Sequence, residues 1–125
     1  MELSKGNLIT QDGQNISYEH ALNSHNQVVV IAHGFYNSKD AVLLQELKNS
    51  LLDEYDVFMF DFRGHGKSSG LFTWTSKEDK DLKAVLDYLE PKYKRIGLVA
   101  FSMGASVSIN TAAQDKRINS LVCVS

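Results

Sequence analysis

Residues 95–113 read RIGLVAFSMGASVSINTAA, and the fold turns on how that stretch divides. Arg95 to Ala100 is a short apolar run that reads as a buried strand, and Ser102 to Ala113 is rich in small residues, which suits a helix packed closely on a sheet. Between them stands Ser102, with Ala100 two positions before it and Gly104 two after. A serine on a sharp strand-to-helix turn needs small neighbours, because the two backbones nearly touch while the hydroxyl is lifted clear of both. Ala100 takes the place of the commoner first glycine and nearly meets that space requirement. A helix starting at Met103 would also aim amide hydrogens and a positive dipole at charge developing near Ser102. An ordinary serine cap at the helix start explains the same spacing.

The strand-then-helix pattern repeats upstream. Gln27 to Ala32 is a β-branched run without alternation, as expected of a central parallel strand covered on both faces. From Ser38, read as an N-cap, Leu43, Leu44, Leu47 and Leu51 predict an amphipathic helix to about Asp53. Val57 to Phe60 is the next buried strand. Ser76 and Asp79 resemble a capping box, and Leu82, Val85, Leu86 and Leu89 keep helical spacing until Pro91. Ile118 to Val124 is a last strand. At the other end, Leu3 to Thr10 and Asn15 to Leu22 flank Asp12-Gly13, a hairpin signal. The order predicts an α/β fold: a mostly parallel sheet flanked by helices, with right-handed crossovers and an N-terminal antiparallel hairpin.

Composition agrees with a packed chain. Of 125 residues, 43% are hydrophobic and 22% charged, which fits one domain over residues 1–125 and excludes intrinsic disorder. A net charge of −2 with no basic block argues against a nucleic-acid partner. No apolar run approaches the ~20 residues of a membrane helix, and no apolar signal region opens the chain, so a cytoplasmic protein without a membrane partner is expected. The single Cys123 has no internal disulfide partner and is expected to be a buried, inert thiol.

In an open parallel sheet, ligands bind beyond the carboxyl ends of the strands. Three loops there stand out: His33-Gly34-Phe35, Asp61-Phe62-Arg63-Gly64-His65-Gly66-Lys67-Ser68 and Phe101-Ser102-Met103-Gly104-Ala105. All three should meet at one edge. The first is where an oxyanion hole would take a backbone N–H, with Gly34 allowing close approach, so the amides of Phe35 and Met103 are the candidate donors. His33 itself reads as a loop histidine bonded to backbone. Gly66-Lys67-Ser68 is not a phosphate loop, because Asp61 stands where that motif needs a glycine, and Gly64, Gly66 and Gly70 miss the dinucleotide spacing by one residue. His33, His65 and Asp61 lack paired metal-ligand spacing, so no metal or cofactor is expected. Phe72 and Trp74 read as core aromatics, with an apolar lip for an acyl chain as the alternative.

Taken together and in this order, the three loops resemble the α/β-hydrolase superfamily, in particular its lysophospholipase, monoacylglycerol lipase and serine-aminopeptidase-like members. The resemblance runs from the hairpin to the last residue. It implies Ser102 as nucleophile toward a small-molecule acyl substrate (a carboxylic ester, thioester or amide), Phe35 and Met103 as oxyanion donors, and a supporting role for His33, Gly34, Asp61, Arg63 and Gly104.

Such a fold orders its triad as serine, acid, histidine, yet no histidine follows Ser102, and Asp115 comes right after the Ser102 to Ala113 helix, at the wrong edge for a triad acid. His20, His25, His33 and His65 all precede the serine. The chain is therefore expected to be a truncated α/β-hydrolase fold, the N-terminal part of a domain of roughly 200–250 residues. A longer coding sequence, a complementing C-terminal chain, or self-association through the edge strand 118–124 would complete it. If the chain works alone, His65 is the candidate substitute base. The alternative is a catalytically inactive fragment serving as a binding or assembly module.

Overall fold

The computed structural model describes residues 1–124. In chain order the elements are β1 (Glu2–Ile9), β2 (Asn15–Leu22), β3 (Gln27–Ala32), α1 (Val42–Leu51), β4 (Asp56–Phe60), α2 (Glu78–Leu89), β5 (Arg95–Phe101), α3 (Met103–Ala112) and β6 (Ser120–Val124). They form one sheet in the order β1-β2-β4-β3-β5-β6. Gly13, at φ 88°, turns the β1–β2 hairpin, and β2 continues antiparallel against β4. From β4 to β6 every pairing is parallel, with β3 at the centre as its unalternating sequence predicts.

Side chains of a strand alternate between the sheet's faces, and that period sorts the core into two layers. Val28, Val30, Ala32, Phe58, Phe60, Leu98 and Ala100 pack with Leu82, Val85, Leu86 and Leu89 of α2 and Met103 and Val107 of α3. Val29, Ile31, Val57 and Met59 meet Leu44 of α1, with Leu47 and Leu51 partly buried beside it. Because β3 pairs Ala32 with both Phe60 and Ala100, the carboxyl ends of β4, β3 and β5 finish level with one another. The three loops singled out above leave the sheet from those ends.

Four local expectations are corrected. The first helix begins at Val42 behind Ala41 with no side-chain cap, and the Ser38 hydroxyl instead accepts the Asp40 N–H at 3.2 Å. Leu43 faces solvent, and Lys48 takes a core-facing place because its ammonium meets the buried Glu19 carboxylate at 3.0 Å. Ser76 and Asp79 form no capping box. Glu78 is drawn back to Thr73, whose N–H and hydroxyl donate to its carboxylate at 2.9 and 2.6 Å, so the helix starts only there. Cys123 is exposed rather than buried, because β6 is the outermost strand and also exposes Val122 and Val124. Among the described residues, no helix is long and apolar enough to cross a membrane.

Candidate active site

Ser102 joins β5 to α3 with φ 52° and ψ −116°, a conformation that L-residues with a Cβ rarely adopt. A serine capping a helix would place its oxygen on an amide of the first turn. Ser102 makes no such bond, so the ordinary-cap reading is removed and the side chain stands exposed above the turn. The backbone is fixed from both sides: its N–H donates to Val124 O at 2.9 Å and its carbonyl accepts from Ala105 N–H at 2.9 Å.

Two glycines let the neighbouring chain come this close. A Cβ on Gly104 would lie 2.5 Å from His33 O and 2.6 Å from Ala32 O, so α3 touches the end of β3 only because no side chain intervenes. A Cβ on Gly34 would approach Ser102 Cβ to 3.1 Å, which sets the His33-Gly34-Phe35 turn directly against the serine. Within these turns, Asn37 N–H donates to Gly34 O, whereas the N–H groups of Phe35 and Met103 have no acceptor among the described residues.

His33 is fully buried and uses both ring nitrogens. Nδ1 lies 2.7 Å from Gly34 O, which can only accept, and Nε2 accepts the Phe62 N–H at 2.9 Å, so the imidazole is the neutral Nδ1–H tautomer. Burial holds its pKa down to about 4. With neither lone pair nor proton to spare, it joins the β3 and β4 loops and has nothing to offer a metal.

The β4 loop is held by carboxylates. Asp61, wholly buried, accepts from Lys39 N–H at 2.7 Å, Lys39 Nζ at 2.8 Å and Lys67 N–H at 3.0 Å. Gly66, at φ 51°, passes so close that a Cβ would sit 2.3 Å from that carboxylate. Arg63 grips Asp12 of the hairpin turn with two parallel bonds of 2.7 and 3.0 Å, and Asp81 of α2 through Nε and Nη2 at 2.9 and 2.7 Å. Lys39, Asp81 and Glu78 carry no signal of these roles in the sequence, where Asp12 reads only as half of the Asp12-Gly13 hairpin turn. His65 donates from Nδ1 to Arg63 O at 3.1 Å and packs edge-on against Phe72; it does not line the cleft around Ser102. Asp115 is also absent from the cleft and holds Arg117 at 2.7 Å.

The cleft itself has a volume of about 690 Å³ and is lined by Phe35, Phe72, Trp74, Met103 and Val124 together with Ser102 and a few small side chains. Trp74 is 75% exposed, which corrects its reading as a core residue; Phe72 is half-buried.

Residues 27–125 match the family described as alpha/beta hydrolase fold. The chain belongs to the α/β-hydrolase fold family. The crystal structure of the Pyrococcus furiosus esterase Pf2001 superposes with a TM-score of 0.88 at 36% identity, over 94% of this chain and 49% of that one. The uncharacterized hydrolase YugF of Bacillus subtilis is 33% identical over 114 residues, which is 90% of this chain and 41% of the relative. A Cyberlindnera jadinii protein named a probable alcohol acetyltransferase is 31% identical over 107 residues, 82% of this chain and 29% of its own length. The chain thus spans half or less of the length of these relatives.

Proposed function

We propose that this chain is the nucleophile-bearing part of a serine hydrolase that cleaves carboxylic esters, thioesters or amides through an acyl-serine intermediate. The observation that carries this reading is the strained, exposed and uncapped Ser102 at the β5–α3 turn. A general base takes the Oγ proton as Oγ attacks the carbonyl carbon; the N–H groups of Phe35 and Met103 donate to the resulting oxyanion. The tetrahedral centre collapses, the bond to the leaving alcohol, thiol or amine breaks, and the base returns its proton to that group. Water then repeats the attack on the acyl-serine. The base and its acid partner are supplied from outside these residues, by a longer chain or a complementing C-terminal chain, a reading that the half-length match to the relatives supports. The name of the Cyberlindnera jadinii relative adds an alcohol in place of water as a second acyl acceptor.

His33, Gly34, Asp61, Arg63 and Gly104 act as supports. His33 and Asp61 hold the loops, and the two glycines set the distance between Phe35 N–H, Met103 N–H and Ser102. An assembly module is the second reading, favoured by the exposed Val122 and Val124 on edge strand β6, through which copies could pair.

One experiment separates the two. The chain, expressed with whatever coding sequence follows codon 125, is treated with a fluorophosphonate probe and assayed on simple esters. Labelling that maps to Ser102, and turnover at least ~10³-fold lower in Ser102→Ala, are expected. Equal labelling or equal turnover in that variant overturns the nucleophile, and an unlabelled oligomer supports the assembly reading.

A further inference from the structure

Beyond the serine itself, the cleft has one wall of unusual construction. The rings of Phe35, Phe72 and Trp74 touch in a closed triangle, with centroids 4.9 Å apart for Phe35–Phe72, 4.9 Å for Phe72–Trp74 and 5.4 Å for Phe35–Trp74. Phe35 and Phe72 also pack on the core, but Trp74 leaves most of its surface in water. On the cleft side the indole offers an apolar face beside Ser102.

Its backbone points the same way. Trp74 and Thr75 are consecutive non-glycine residues with positive φ, 55° and 73°. Such a pair is strained, and strain of this kind persists only where the surroundings enforce it. The enforcement is visible: the fully buried Glu78 carboxylate takes both the N–H and the hydroxyl of Thr73, and Thr73 Oγ1 accepts the Lys77 N–H. Clamped on its N-terminal side, the loop turns through the left-handed region and lays the indole against Phe72 beside Ser102.

Among the described residues, no Lys, Arg, His, Asp or Glu lines this cleft. A phosphate-bearing or zwitterionic substrate would find no counter-charge on this wall, whereas a neutral planar group gains ring contacts and apolar burial. We propose that Phe35, Phe72 and Trp74 form a recognition subsite for uncharged esters that carry an aromatic or similarly planar apolar group beside the scissile carbonyl. This deepens the serine-hydrolase reading and rests on it for the reaction, though not for the binding.

Trp74 is the one tryptophan of these 125 residues, and the part of the emission that Trp74→Phe removes reports this wall. The test uses the full chain as expressed above, with ethyl acetate, ethyl phenylacetate and benzyl acetate as substrates and benzyl acetate as the fluorescence ligand in the Ser102→Ala background. At least one ring-bearing ester is expected to exceed ethyl acetate in kcat/KM by roughly tenfold or more. Trp74→Ala should compress that ratio to within about threefold of unity, and Trp74→Phe should restore most of it. In Ser102→Ala, benzyl acetate should shift Trp74 emission saturably. No ring preference, or a preference that Trp74→Ala leaves intact, overturns the subsite, as does emission that does not respond. A saturable shift in a chain whose Ser102→Ala variant hydrolyses esters as fast as the parent keeps the subsite and overturns only the nucleophile.

Discussion

The turn at Ser102 and the loop that follows β4 rise from the same end of the sheet, yet they are stabilised in opposite ways. Around Ser102 the backbone is strained, the side chain has no capping bond, and close packing depends on the absence of atoms at Gly34 and Gly104. In the β4 loop most polar groups are used: Asp61 accepts three bonds, Arg63 spans two carboxylates, and the Phe62 N–H reaches Nε2 of His33 in the β3 loop, both of whose ring nitrogens are engaged. Reactivity and rigidity are thus placed on different segments. A nucleophile must keep an oxygen uncommitted, and the neighbouring loop supplies the fixed geometry that an uncommitted residue cannot supply for itself.

The sharpest way to break this contrast is to remove one charge from the saturated loop. Asp61→Asn leaves the Lys39 ammonium buried with only the partly exposed Asp40 carboxylate, 3.4 Å away, as partner, and a loss of about 3–5 kcal/mol in unfolding free energy is expected. Urea unfolding checks it; a loss under about 1 kcal/mol would mean the loop is not held by that pair. Acid is a gentler probe. The folded chain keeps His33 neutral down to about pH 4, whereas an unfolded chain takes up the proton near its ordinary value of 6.5. The unfolded state therefore binds the extra proton between those values, and stability falls as pH is lowered from 6.5 to 4, by roughly 3 kcal/mol in full. Buried His20, also shifted down by desolvation, adds to the slope in the same direction. A His33→Asn variant, less stable at neutral pH, should show a flatter profile; an unchanged profile would remove His33 as the cause. The smallest effect comes from the strained side: Ser102→Gly, free of Cβ at φ 52°, should gain about 1 kcal/mol while losing probe labelling. A loss of stability there would mean that the turn is not under strain.

Much of this was readable in advance where the constraint is local. The parallel strands announce themselves by unbroken apolar runs, and the turn at Ser102 by small residues that only a close backbone approach demands. Helix starts were misread for an equally physical reason. Ser38 and Ser76 have the chemistry of caps, but Glu78 is captured by Thr73 and the first helix starts beyond Ser38, competition that no local window contains. Asp12 and Arg63 are 51 residues apart, and nothing in the sequence pairs them. The exposure of Trp74 was half visible: the sequence offered an apolar lip beside the core reading, and nothing local decides between the two.

That Asp12–Arg63–Asp81 bridge also bears on the order in which the chain assembles. It joins a hairpin turn, a loop and a helix that lie far apart in sequence, so it cannot close until all three have docked, and the loop-closure entropy falls on the last step. The bridge is accordingly expected to form late in folding and to slow unfolding more than it speeds folding. A nascent chain would display the hairpin and sheet before it owned a finished cleft, and would acquire its binding surface only at the end.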